Sequence, residues 1–131
     1  MKKIIVSSLL LSALFFSACS GTDNTQTVGQ AIAPVIIKLQ NKQVCMVNDR
    51  FMNKDQTPVP VNNKTYYGCC EGCVAALLNN PTSRYALDAL THQRVDKADA
   101  VIVRNPNTED GVLYFASEVN AIAYLKDNAV E

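Results

Sequence analysis

Three thiols fall within five residues in Cys69-Cys70-Glu71-Gly72-Cys73, and a fourth, Cys45, stands well upstream. Thiolates bind soft ions and attack electrophiles, so the chain concentrates its chemistry here. The neighbouring residues set the geometry. Thr65-Tyr66-Tyr67 is aromatic and β-prone, Val74-Ala75-Ala76-Leu77-Leu78 is rich in Ala and Leu, and Asn79-Asn80-Pro81 stops that run. This is the pattern of strand, tight turn and helix. Cys69 then closes the strand, Cys70 lies near the helix N-cap, and Cys73 follows on the same helix face as Cys70. The free N–H groups and positive dipole end of such a helix favour thiolate over thiol.

Three readings of these thiols compete. Disulfides suit an exported chain, and four Cys permit three pairings. However, bonds between neighbours or across Cys70-x-x-Cys73 do little to restrict an unfolded chain. Ligands for a soft ion are the second reading: Cys45, Cys69, Cys70 and Cys73, with Met46 as a thioether beside Cys45. Such donors select Cu(I) or Zn²⁺ over Ca²⁺ or Mg²⁺. A closed Cys₄ site would be structural zinc, whereas two or three thiolates with Met46 or Met52 nearby suit Cu(I). A thiol-disulfide redox protein is the third reading, but no thioredoxin-like βαβ pattern surrounds the motif.

Little else competes for a chemical role. His92 is the single histidine and sits in a polar run, as an exposed loop residue does. Asp88, Asp96 and Asp99 lie among Lys and Arg and read as solvated charges. Tyr66, Tyr67, Tyr114 and Phe115 read as core or hairpin aromatics. No Ser/His/Asp set or Gly-rich phosphate loop is present, so enzymatic activity is not expected. Formal net charge is zero, which gives no footprint for nucleic acid.

At the other end of the chain, Lys2-Lys3 precede an apolar run from Ile4 to Phe16, followed by Ser17-Ala18-Cys19-Ser20. The run is too short to span a bilayer and matches a secretory signal. Ser17-Ala18-Cys19 resembles the lipobox of bacterial lipoproteins, with Phe16 where that pattern has Leu. The resemblance implies residues 1–18 as signal peptide and Cys19 as the lipidated first mature residue, with the membrane as a partner. Ser20, by similarity to enterobacterial sorting, implies the outer membrane of the cell envelope, facing the periplasm. Residues 19–30 are polar without periodicity, a flexible tether. Removing residues 1–18 from the 131 leaves 113, enough for one domain, placed at 31–131.

Within that domain the cysteine unit is repeated. Tyr67 to Leu78 lies over Tyr114 to Leu125 without a gap, and Tyr, Glu, Ala and Leu recur at matched positions. Ala100-Val101-Ile102-Val103 reads as a strand, Asn105 to Gly111 as a hairpin loop, and Val112 to Phe115 as the return strand. Ser117 is a good N-cap, with Val119, Ile122, Ala123 and Leu125 as the apolar helix face. Upstream, Gln43 to Val47 reads as a short strand, and Thr57 to Val61, with two prolines, as an edge or extended loop. The fold class is α+β, a small domain of two ββα units. The first is treble-clef-like with Cys at its strand–helix elbow, and the second has Ala116, Ser117 and Asn120 there.

Cys45-Met46-Val47 followed by Lys64-Thr65-Tyr66-Tyr67-Gly68-Cys69-Cys70-Glu71-Gly72-Cys73 resembles the YHS/TRASH metal-binding module. In that family a Cys beside a Met on a first strand is followed by an aromatic strand ending in Cys-x-x-x-Cys at a helix start. Cys45, Cys69 and Cys73 match its cysteines, while Cys70 stands where Ser is more common and adds a fourth thiol. The segment 95–118 is similar to the C-terminal part of the copper-binding accessory lipoproteins of nitrous-oxide reductase. These resemblances, over roughly residues 43–126, imply heavy-metal handling: Cu(I) trafficking, scavenging or resistance, with a copper-receiving or copper-exporting protein as partner. A structural Zn-binding interaction domain is the alternative.

Overall fold

The computed structural model describes residues 36–128, so the expected signal peptide, the tether and Cys19 lie outside the described residues. The described residues form four two-stranded antiparallel sheets and two α-helices. In order these are β1 (Val44–Cys45), β2 (Arg50–Phe51), β3 (Thr57–Val61), β4 (Lys64–Gly68), α1 (Glu71–Asn79), β5 (Tyr85–Leu87), β6 (Arg94–Asp96), β7 (Val101–Arg104), β8 (Val112–Phe115) and α2 (Glu118–Asn128). The two ββα units expected from the sequence are β3-β4-α1 and β7-β8-α2.

The hairpin β3–β4 shows how local sequence selects each element. Asn62 takes a positive φ of 53° in its two-residue turn, a conformation Asn tolerates well. Pairing of Val61 with Lys64 and of Val59 with Tyr66 directs the backbone N–H of alternate residues toward β4. Pro58 and Pro60 occupy the intervening positions, where a missing N–H costs nothing. Both prolines are therefore part of a regular strand. Helix α1 begins after Cys70 and ends at Asn79, ahead of Pro81. It turns Cys73 and Leu77, four residues apart, toward the interior. Gly68 lets the strand pass this helix closely: a Cβ there would lie 3.1 Å from both Cys73 Cβ and Val74 N.

Strand β7 explains its own unbroken Val-Ile-Val. Ile102 packs in the main core with Val44, Met46, Val59, Tyr66, Leu77 and Tyr114. Val101 and Val103 face a second cluster with Phe115 and Ala121, to which Tyr124 adds its ring. Buried on both faces, the strand needs no polar alternation. Ser117 caps α2 as expected, its hydroxyl accepting from Asn120 N at 3.2 Å. The apolar face of α2 differs from expectation, because Val119 is 73% exposed and Ala121 is the buried residue. Two positions along a helix are a rotation of about 200°, and Ala121 is the side chain turned toward Phe115.

A larger correction concerns Asp88, expected among solvated charges but fully buried. It lies just after β5, and its carboxylate accepts from Leu90 N and Thr91 N at 2.9 Å, Ala116 N at 2.7 Å and Asn120 Nδ2 at 2.8 Å. Asp88 thus joins the β5–β6 turn to the β8–α2 elbow. Asp96 is also structural, taking Lys64 Nζ at 2.7 Å and Tyr66 OH at 3.0 Å. Asp99 is exposed, and its carboxylate pairs with Lys64.

Burial opposes the Asp88 charge, but the hydrogen bonds from Ala116, Asn120, Thr91 and Leu90 outweigh it and bring the carboxyl down to about 2. The folded pKa lies below the unfolded value, so this stability is present above about pH 4 and is lost as pH falls toward 2. It amounts to roughly 2 kcal/mol. Asp88→Ala should cost about 2–4 kcal/mol in urea unfolding, since it strands buried donors. Asp88→Asn should flatten the acid limb of thermal stability relative to the wild type.

Candidate metal centre

Each thiol owes its place to a different element. Cys45 ends β1, and the chain then turns through Met46 to Asp49, with Asp49 at a positive φ of 52°. Met46 N donates to Tyr67 O at 2.9 Å, which fixes the turn against the end of β4. Cys69 leaves β4, Cys70 is the N-cap of α1, and Cys73 lies in its first turn. All four are free thiols.

The sulfurs of Cys45, Cys69 and Cys73 lie within 4.8 Å of one another. Cys73 is the hub, 3.7 Å from Cys45, 3.6 Å from Cys69 and 3.5 Å from Cys70. Tetrahedral zinc with Zn–S near 2.3 Å sets its sulfurs about 3.8 Å apart, so the trio is already spaced for a soft ion. Cys70 stands outside it, exposed at the rim beside Cys73. Met46 is elsewhere: its side chain is fully buried in the main core. Val44 and Met46 share that core while Cys45 turns toward the thiols, the alternation of extended chain. His92 is exposed, on a loop with φ 58°.

The environments of the thiols differ. Burial raises the Cys45 thiol, but the N–H groups of Asn48 and Val47 prevail and hold it below the ordinary range. Hydrogen bonding with Cys45, then burial, raises Cys69. Burial foremost, then the sulfurs of Cys70, Cys69 and Cys45, pushes Cys73 up to about 12. Cys70 is lowered, chiefly by the Cys73 N–H and then by the Cys73 and Cys69 side chains. One contributor went unseen in the sequence: Asn48 Nδ2 points at Cys69 Sγ and Cys73 Sγ, at 3.6 and 3.8 Å. Asn48 stands three residues after Cys45 in sequence, but only the fold brings it over the elbow.

No family model, curated protein or solved structure matches this chain. The internal comparison is more informative. Met46 N bonds to Tyr67 O, and Ala89 N bonds to Tyr114 O at 3.0 Å, so Cys45 corresponds to Asp88. The N–H groups of Val47 and Asn48 favour the Cys45 thiolate as those of Leu90 and Thr91 hold Asp88. Asp49 and His92, both at positive φ, close equivalent turns. At the elbows Cys69 and Cys73 correspond to Ala116 and Asn120. The trio of sulfurs therefore occupies the place that Asp88, Ala116 N and Asn120 fill with hydrogen bonds.

Removing the hub should hurt most. Cys73→Ser should weaken soft-metal affinity by about a hundredfold or more, whereas Asn48→Ala, which removes an outer donor to two sulfurs, should cost roughly tenfold at unchanged stoichiometry. Competition titrations of Cu(I) against a calibrated chelator, under anaerobic conditions, measure both.

Proposed function

We propose that this protein is a lipid-anchored metal carrier of the bacterial cell envelope that binds Cu(I) through Cys45, Cys69 and Cys73. The observation that carries this reading is the convergence of three sulfurs from two separate turns on one point. Thiolates are soft donors, and three of them suit Cu(I), which accepts low coordination. The second unit favours a carrier over a structural site. Asp88 holds there, without a metal, the same turn and elbow that the thiols face here, so the overall fold does not need the ion. The resemblance to the YHS/TRASH module supports the same reading, with trafficking, scavenging or resistance as the role.

A structural zinc site is the second reading, favoured by Cys70 at 3.5 Å from Cys73. Swung inward, it would complete a tetrahedral Cys₄ set. In that case binding energy is folding energy. Near-UV circular dichroism of the Tyr-rich domain, under reducing conditions, separates the two. A Cu(I) carrier keeps its tertiary signal when stripped and captures Cu(I) from a competing chelator. Collapse on chelation with no Cu(I) captured establishes zinc. Acid should weaken binding in either case, because the ligands must lose protons.

Anchoring rests on Ser17-Ala18-Cys19 and has its own test. Cys19→Ser should leave unprocessed precursor and no acyl chains. Normal maturation of that variant, with partition into the aqueous phase, overturns the tether. No helix among the described residues is long and apolar enough to cross a membrane.

A further inference from the structure

Cys70 occupies the N-cap of α1, yet its side chain makes no capping hydrogen bond. At the matched position of the second unit, Ser117 caps α2 properly through Asn120 N. A Ser or Thr cap contributes about 1 kcal/mol, so the first unit carries a thiol where a better helix start was available. That thiol is exposed, outside the trio, and 3.5 Å from the sulfur of Cys73. It opens on a shallow cleft of about 470 Å³ lined by Glu71, Val74, Ala75 and the half-exposed Leu78. Cys45 and Cys73, by contrast, are buried.

We infer that Cys70 is the exchange ligand of the metal centre, the sulfur through which Cu(I) passes between a thiolate-bearing partner and the trio of Cys45, Cys69 and Cys73. This rests on the Cu(I) reading above. The step is ligand substitution without change of oxidation state. A Cys70 S–Cu bond forms, one donor S–Cu bond breaks, and the proton of the Cys70 thiol passes to the departing donor thiolate. The ion next bonds to Cys73 at 3.5 Å from Cys70, and then to Cys69 and Cys45. The S–Cu bonds to Cys70 and to the last donor thiolate break, and the protons displaced from the trio pass to Cys70, to that thiolate and to water. Release runs the same path backward. The arrangement separates holding from handing over: the converged trio, two of its sulfurs buried, sets affinity, and one exposed sulfur sets rate.

Cys70→Ser is a clean test, because Ser at this position restores the cap and should fold at least as well as the wild type. The full-length protein, purified in detergent under a non-thiol reductant, is loaded with Cu(I), and transfer to bathocuproine disulfonate is followed by stopped flow. The variant should hold Cu(I) with affinity within about threefold of wild type, while transfer slows by roughly tenfold or more. Unchanged transfer overturns the proposal. So does a loss of affinity of about a hundredfold, which would make Cys70 a permanent fourth ligand. Failure of the wild type to take Cu(I) in competition instead overturns the metal reading itself, and this proposal with it.

Discussion

One arrangement recurs and the rest of the structure serves it: an acceptor at the start of a tight turn collects that turn's N–H groups and faces the elbow where a strand becomes a helix. In the second unit the acceptor is a carboxylate, with four donors at 2.7–2.9 Å. Charge-assisted bonds of that length are strong enough to offset complete burial. In the first unit the acceptor is a sulfur, and the contacts that close the centre are sulfur contacts of 3.5–3.8 Å, which are weak. The same backbone plan is saturated in one half and under-satisfied in the other. A soft cation at the thiols would supply the attraction that hydrogen bonds supply to Asp88.

The under-satisfied half is braced from outside. Lys97, buried just after β6, donates to Met46 O and Asp49 Oδ1, both at 2.6 Å. Tyr114 OH adds a bond to Asp49 Oδ1 at 2.9 Å. Phe51 N and Val112 N complete the seam through Asp110 O and Asp49 O. Removing one partner of so buried an ammonium leaves an uncompensated charge and costs more than the pair itself contributes. The turn carrying Cys45 is thus held by the second unit as well as by its own strands, which keeps the sulfurs converged.

The elbows, both long hairpins, both helix starts and the gap-free match of Tyr67–Leu78 to Tyr114–Leu125 were legible in the sequence, because each rests on local signals: Asn in turns, Ser at a cap, Pro after a helix. The β5–β6 turn was not, because strands of three residues each are too short for periodicity to register, whereas Gln43 to Val47 reads as a strand and contains β1. Asp88 read as a surface charge because composition reports neighbours in sequence, while its partners Ala116 and Asn120 come from 28 and 32 residues away. A signal did exist: Asp followed by Ala-Leu-Thr is an Asx-type turn, in which the carboxylate takes N–H groups two and three residues on. The thiol cluster was legible as a cluster. That Met46 would belong to the core, and Cys70 to the rim, needed the strand's alternation and the helix's rotation in three dimensions.

The Asp88 centre also divides the chemistry of the two halves. A domain closed by sulfur in both halves would offer thiols to oxidants at both elbows. Here one half is permanently closed by oxygen and nitrogen, indifferent to metal supply and to oxidants. Oxidation of thiols, the lesion to which partly exposed cysteines are open, can therefore reach only the first of the two elbows.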